Sequence, residues 1–432
     1  MIALELVILF FILGCFAYCR TKAWIWTLVL AVIFTAVIWL RLMPLALSIP
    51  LAAIALTVAM ISNLTLFRRY FITARLITKF RKVLPGMSRT EREALEAGEV
   101  WWEGDLFRGA PDWKKLHAIK KPVLTEEEHA FLDNQVETLC EMLDDWKVVR
   151  NAKLPDEAWQ YMCDEGFLGM IIPKKYGGRD FSALMQSTVV TKLATRCLSS
   201  AIMAMVPNSL GPAELLLVYG TEEQKQQYLP NLACGKDIPC FALTSTEGAS
   251  DAGAMPDTGV VCKGLHDGKE VLGIRLNFDK RYITLAPIST LVGLAFKLFD
   301  PDHLMGDQDS YGITCALIPA DHPGMEIGNR HFPVYLAFPN GPIRGKDVFI
   351  PLDWIIGGPK MAGAGWRMLM ECLSAGRGIS LPALSTAAGK HTYRMTGAYC
   401  KVREQFKVPL GKFEGVQEYM ARIGGFTYLL ES

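Results

Sequence analysis

Residues 241–255 read FALTSTEGASDAGAM. A strand-like apolar run, Phe241, Ala242 and Leu243, breaks into the hydroxyl side chains Thr244, Ser245 and Thr246, then into Gly-Ala-Ser-Asp-Ala-Gly. Small side chains at a strand end let a ligand come very close to the backbone and its N–H groups. A polar surface loop has the same composition, so this stretch alone leaves both readings open. KRYITLA, residues 280–286, reads by itself as an ordinary β-strand. The chain offers no metal chemistry. Its 11 cysteines and 7 histidines form no C-x-x-C pair and no cluster with ligand spacing. That pattern fits buried free thiols in a reducing compartment. A net charge of +1 with 21% charged residues gives no whole-protein attraction for nucleic acid.

The elements around these residues change character along the chain. Pro85-Gly86 closes a basic segment, and Ser88 with Glu91 reads as a capping box opening a short helix that stops near Gly98. Thr125 with Glu128 opens a longer helix, TEEEHAFLDNQVETLCEML, with Phe131, Val136, Leu139 and Leu143 at roughly helical spacing. The pattern stays helical to about residue 239, broken at Tyr176-Gly177-Gly178 and at Gly220. From there short β-leaning runs (CFALTST, GVVCKG, KEVLGIRLNF, KRYITLAP, GITCALIP, DVFIP) alternate with Gly, Asp and Pro, which suggests an antiparallel β domain over 240–355. After GGPKMAGAGW the helical period returns and runs over 356–432. Helices, then strands, then helices give an α+β plan.

The 51% apolar content is concentrated at the start of the chain. Residues 3–19 (apolar apart from Glu5), 24–40 and 42–61 are three apolar runs, each near the roughly 20 residues that cross a bilayer. Arg41 and Pro44 leave the count of spans in 1–62 at two or three. Within 63–120 follows a basic segment bearing Arg68, Arg69, Arg75, Lys79, Arg81, Lys82 and Arg89, with no acid from Asn63 to Thr90. On a regular helix Arg68, Arg75, Lys79 and Lys82 share one face, which suits an anionic membrane surface. The positive-inside rule then puts the following residues in the cytoplasm.

YGTEEQKQQYLPNLACGKDIPCFALTSTEGASDAG, residues 219–253, closely resembles the flavin-site lead-in of the acyl-coenzyme A dehydrogenases. VPNSLGP, KRYITLA, GAGW and REQFKVPLGKFEGVQ extend the resemblance in order over about 125–432. The leader and GEVWWEGDLFRGAPDWKKL look like the long bacterial membrane-associated members of that family, the FadE type. The resemblance implies FAD as cofactor, with Phe241, Leu243 and Thr244 against the flavin ring. It implies Tyr282, Ile283 and Thr284 as a second flavin strand and Ser250 toward the cofactor phosphates and coenzyme A. Arg403 and Gln405 match a helix turn that contacts the flavin pyrophosphate of a neighbouring subunit. Arg377 and Ser374 match the substrate-lining helix. Two departures stand in the loop: Ser245 replaces the family glutamate, and Gly248-Ala249-Ser250-Asp251 replaces A-G-S-D. Lys407 stands where the family has glycine.

No catalytic base is assigned. One family branch carries its glutamate at the position of Gly376, and Glu371, the weak candidate, lies about 140° around the helix from it. The other branch carries it in a later helical loop, so the C-terminal bundle reads as incomplete and the chain as a fragment inactive by itself. The leading expectation is a membrane-associated bacterial inner-membrane enzyme, facing the cytoplasm, that oxidises long- or medium-chain acyl-coenzyme A to the trans-2-enoyl thioester. An electron-transferring flavoprotein as electron acceptor, membrane lipid contact and a homo-oligomer go with it. A non-catalytic membrane-bound flavin or acyl-CoA binding module, or an acyl-CoA oxidase on the same fold, are the alternatives.

Overall fold

The computed structural model describes residues 14, 18, 22–41, 44–98, 100–248 and 250–432. It divides into two units, the first ending at Met87 and the second running Ser88–Ser432. In the first, Ala23–Trp39 and Leu45–Asn63 form a helical hairpin. It is antiparallel, since the Asn63 amide at its end donates to Thr27 Oγ1 near its start, 2.6 Å away. Arg41 breaks the helix at φ 50°, so 24–40 and 42–61 belong to separate helices. The run 3–19, with Glu5, Cys15 and Cys19, lies outside the described residues apart from Gly14 and Tyr18. Trp24, Leu28, Val32, Leu47 and Ile54 are exposed, so this hairpin turns apolar surface outward. Its apolar stretches Trp24–Trp39 and Leu45–Ala59 are shorter than a full span. The one described helix long and apolar enough to cross a membrane, Leu198–Tyr219, is mostly buried within the second unit. The basic segment is helical over 65–83, but Arg68–Thr73 form a π turn.

In the second unit both capping boxes form, Ser88 with Glu91 and Thr125 with Glu128. Phe131, Val136, Leu139 and Leu143 are buried together with Phe167, Met185, Val189 and Leu193 in one core. Each large apolar side chain so buried is worth about 1.5–3 kcal/mol.

The sheet is mixed, where an antiparallel one was expected. Its strands are β1 (Pro239–Ala242), β2 (Thr258–His266), β3 (Lys269–Thr284), β4 (Leu291–Phe299), β5 (Ser310–Pro319), β6 (Met325–Ile327) and β7 (Asn340–Pro351). The order is β1-β4-β2-β3-β7-β6, with β5 on β4. β1 and the start of β2 both pair with β4 in parallel. The β2–β3 hairpin acts as the crossover that a parallel pair requires. β3 unites KEVLGIRLNF and KRYITLAP in one long strand, bent by register shifts against β7 after Leu276 and after Lys280.

Beyond the sheet, a π turn at Leu369–Leu373 leads into the long helix Ser374–Val402, and Glu414–Glu431 packs back against it. Tyr393, Met395, Tyr399, Tyr419, Phe426 and Tyr428 of this pair are exposed. Between the two helices the expected helix turn at Arg403 is a β-hairpin: Glu404–Gln405 pair with Val408–Pro409. Phe406 and Lys407 at its tip have φ 55° and 64°, a two-residue turn with both residues left-handed.

Candidate functional site

β1 and β2 share one edge of β4. Ala242 is opposite Leu294 and Thr258 is opposite Lys297, so the loop 243–257 leaves and rejoins the sheet three positions apart on β4. This is why the apolar run ends at Leu243: the chain must step out of the sheet there and return beside the same strand.

One buried side chain holds both feet of that loop. Lys280 Nζ donates to the Leu243 carbonyl at 2.9 Å, to Ser245 Oγ at 3.2 Å and to Asp257 Oδ2 at 2.6 Å. Ser245 Oγ also bonds Asp257 Oδ2, and the other Asp257 oxygen accepts the Asp279 N–H at 3.0 Å. Burial pushes the Lys280 ammonium below its ordinary range, and the Asp257 charge opposes that shift. A charge this deep survives only with partners, and here each donor direction has one. The sequence flagged Ser245 as a departure but gave no sign of Lys280 or Asp257. A lysine inside a strand that starts KRY reads as exposed.

Backbone bonds then lay the loop's first residues along β3. The Arg281 N–H donates to the Thr244 carbonyl at 2.9 Å, and the Thr246 N–H to the Asp279 carbonyl at 3.2 Å. Between Lys280 and Ile283 the register of β3 against β7 slips, and the bulged Tyr282 takes φ 60° with its ring half-exposed. A bulge re-aims side chains in this way. Phe241, Leu243 and Thr244 thereby meet Tyr282, Ile283 and Thr284 across one cleft of about 160 Å³. Leu369, Met370, Leu373 and Arg377 form its far wall, with Val206 and Leu210. The volume is below the usual 300–1,000 Å³ of a whole-ligand pocket. Apolar walls, the rings of Phe241 and Tyr282 and the hydroxyls of Thr244, Tyr282 and Thr284 fit a planar heteroaromatic group with polar edges.

Of the sequence candidates, Phe241, Leu243, Thr244, Tyr282, Ile283, Thr284 and Arg377 therefore come together. Ser374 sits beside the cleft, its Oγ accepting from Arg377 Nη2 at 3.2 Å. Ser250 is exposed on the loop and does not line the cleft. Gly248 carries the left-handed turn at φ 81°, and Ala249 lies outside the described residues. Arg403 and Gln405 are exposed on the C-terminal hairpin, also outside the cleft.

Glu371 points elsewhere, as its angle predicts: it pairs with Arg367 Nε at 2.8 Å and accepts the Tyr219 hydroxyl. At Gly376 an added Cβ would lie 2.3 Å from the Ser209 carbonyl oxygen, so the helix needs glycine there to pack. No carboxylate lines the cleft among the described residues. The carboxyl that burial raises most clearly above its usual range, Glu214, acts on Cys372 behind that wall. No group of His, Cys, Asp and Glu among the described residues is arranged to hold a metal.

Residues 124–236 match the family described as acyl-CoA dehydrogenase, N-terminal domain. Over 349 residues the chain is 29% identical to the probable acyl-CoA dehydrogenase FadE10 of Mycobacterium tuberculosis, covering 78% of this chain and 51% of that protein. Over 104 residues it is 65% identical to Protein HemX of Proteus mirabilis, 24% of this chain and 61% of that one. Thus the chain spans about half to three-fifths of these curated relatives. The solved structure "PigA with FAD and proline" superposes with a TM-score of 0.61 at 24% identity, over 72% of this chain and 77% of that one. Together with the domain order, these matches make the chain similar to acyl-CoA dehydrogenases, most directly over residues 124–236. The fold is acyl-CoA dehydrogenase-like: a helical N-terminal domain, a mixed β-sheet domain and a C-terminal helical region.

Proposed function

We propose that this chain builds the flavin and acyl-thioester cleft of a FAD-dependent dehydrogenase that converts fatty acyl-coenzyme A to the trans-2-enoyl thioester. The observation that carries it is the convergence of the 241–244 strand end, the 282–284 bulge and the 369–377 helix on one cleft. Bound FAD would supply the two-electron acceptor for a hydride leaving the acyl β-carbon, and the α-proton would go to a base that the described cleft residues do not supply. The protein's part is to orient: Phe241, Leu243 and Ile283 offer a flat apolar wall, and Thr244 and Thr284 point hydroxyls at polar ring edges. Tyr282 offers a stacking face. Arg377 places a cation at the cleft where the thioester end of the substrate enters. Ser250, Arg403 and Gln405 are assigned to cofactor phosphates outside the cleft, the last two in a homo-oligomer. An electron-transferring flavoprotein takes the electrons onward.

The outward apolar hairpin of 23–63 and the basic helix 65–83 support a membrane-held enzyme on an anionic, cytoplasm-facing surface of the bacterial inner membrane. Deleting residues 1–82 should then release the protein from membranes, and wild type fractionating as soluble contradicts the anchor. The carboxylate-free cleft favours a second reading, a binding module without catalysis. Adding long-chain acyl-CoA anaerobically to FAD-loaded protein separates them. Bleaching with enoyl product supports the dehydrogenase. A perturbed but unbleached spectrum supports the module. A bleached flavin that air reoxidises rapidly supports an oxidase.

A further inference from the structure

Asn340 opens β7 directly opposite Thr284, the last residue of β3. Its side chain is buried, and its Nδ2 donates to the Tyr282 carbonyl at 3.0 Å and to Thr284 Oγ1 at 3.2 Å. A carbonyl only accepts, so the amide nitrogen must be the atom on this side. The amide oxygen then faces His331 Nδ1 at 3.2 Å, which therefore carries the hydrogen. The His331 backbone N–H also donates to the Asn340 carbonyl at 2.7 Å, and the imidazole stacks on Tyr282 with ring centres 4.9 Å apart.

These bonds set a direction. Thr284 Oγ1 accepts from Asn340, so the Thr284 hydroxyl hydrogen is left to donate, and among the described residues it has no protein acceptor. Thr284 lines the cleft. We propose that His331 and Asn340 are positioning residues that hold the Thr284 hydroxyl as a donor into the cleft, toward an acceptor atom on the edge of the bound flavin ring. The same amide pins the Tyr282 carbonyl, so one side chain sets both the hydroxyl and the bulged aromatic residue. The proposal rests on the flavin reading of this cleft.

Asn340→Asp tests it with almost no change of shape. A carboxylate accepts where the amide donated, so it draws the Thr284 hydrogen away from the cleft. In the 432-residue protein in detergent, titrated with FAD, Asn340→Asp should weaken binding about tenfold and shift the bound flavin spectrum. Thr284→Val should produce a similar loss. The double variant should lose clearly less than the sum of the two single losses, the part that passes through the Thr284 hydroxyl being lost only once and the remainder acting through the Tyr282 carbonyl. His331→Ala adds no buried charge, and it should weaken FAD binding in the Thr284 background but not in the Thr284→Val background. It reads the same relay if Asn340→Asp fails to fold. Wild-type FAD affinity and spectrum in Asn340→Asp, or losses that simply add in the double variant, overturn the proposal while the flavin reading stands. Failure of the wild-type protein to bind FAD at all overturns both.

Discussion

Lys280 and Asp257 meet at 2.6 Å with both side chains fully out of solvent, and between them they tie the start of the 243–257 loop to its end. The loop's shape thus depends on a pair the loop itself only half supplies. Breaking a buried pair from one side leaves the other charge uncompensated, at about 3–5 kcal/mol. Lys280→Met should therefore destabilise the protein by that order in chemical denaturation. Lys280→Met with Asp257→Leu should recover much of the loss, though the Asp279 N–H and Ser245 hydroxyl then lose an acceptor. Equal stability of Lys280→Met and wild type would show that the pair does not hold the loop.

Thr244→Val keeps the side-chain size and removes a hydroxyl that lines the cleft without a protein partner among the described residues. Folding stability should change little, while FAD affinity falls about tenfold or the bound spectrum shifts. A variant with wild-type affinity and spectrum takes Thr244 out of the site.

Gly376→Glu, which puts a carboxylate where one branch of the resembled family carries its base, should add no catalytic activity. Its Cβ would meet the Ser209 carbonyl oxygen at 2.3 Å. Overpacking of this kind typically costs about 1–3 kcal/mol, and a lowered melting temperature with no enoyl product is the expected outcome. A well-folded, active Gly376→Glu variant would mean that the 206–210 turn yields.

Lys407 occupies a left-handed position, φ 64°, that glycine adopts freely. Lys407→Gly should raise stability by about 1 kcal/mol if relief of that strain outweighs the gain in unfolded-chain freedom. Thermal melts of the two forms read it directly.

Thiol alkylation should select Cys234, the exposed cysteine among those described. Burial pushes Cys163 and Cys197 up to about 11 and Cys240, Cys315 and Cys372 up to about 12. Their thiolates form only as pH nears those values, so native protein near pH 8 should label at Cys234 first, then at the half-exposed Cys262, and at these five only after unfolding.

The sequence made some of this legible and hid the rest for identifiable reasons. Capping boxes at Ser88 and Thr125 are local chemistry, and local chemistry is written in four consecutive residues. The cleft's walls at 241–244 and 282–284 were readable because the motifs resemble a known family. Strand β4, the centre of the sheet, escaped the strand reading because it is buried on nearly every residue, so LVGLAFKLF shows no alternation. That also concealed the parallel pairing. Lys280, Asp257, Asn340 and His331 were missed for another reason: each matters through a partner far away in the chain. The hairpin at Arg403 was read as a helix turn from the family resemblance, and nothing local in REQF marks its two left-handed residues, Phe406 and Lys407.

The cleft between Phe241, Tyr282 and Leu373 is the proposed seat of the FAD ring. Titrating FAD into the purified protein, wild type and Leu373→Arg, while following the visible flavin spectrum reads this out. Wild type should show saturable binding with a perturbed spectrum, and both should be lost when the arginine fills the cleft while circular dichroism stays unchanged. A wild-type protein that leaves the FAD spectrum as in buffer, or a folded Leu373→Arg protein that binds FAD as wild type does, would contradict it.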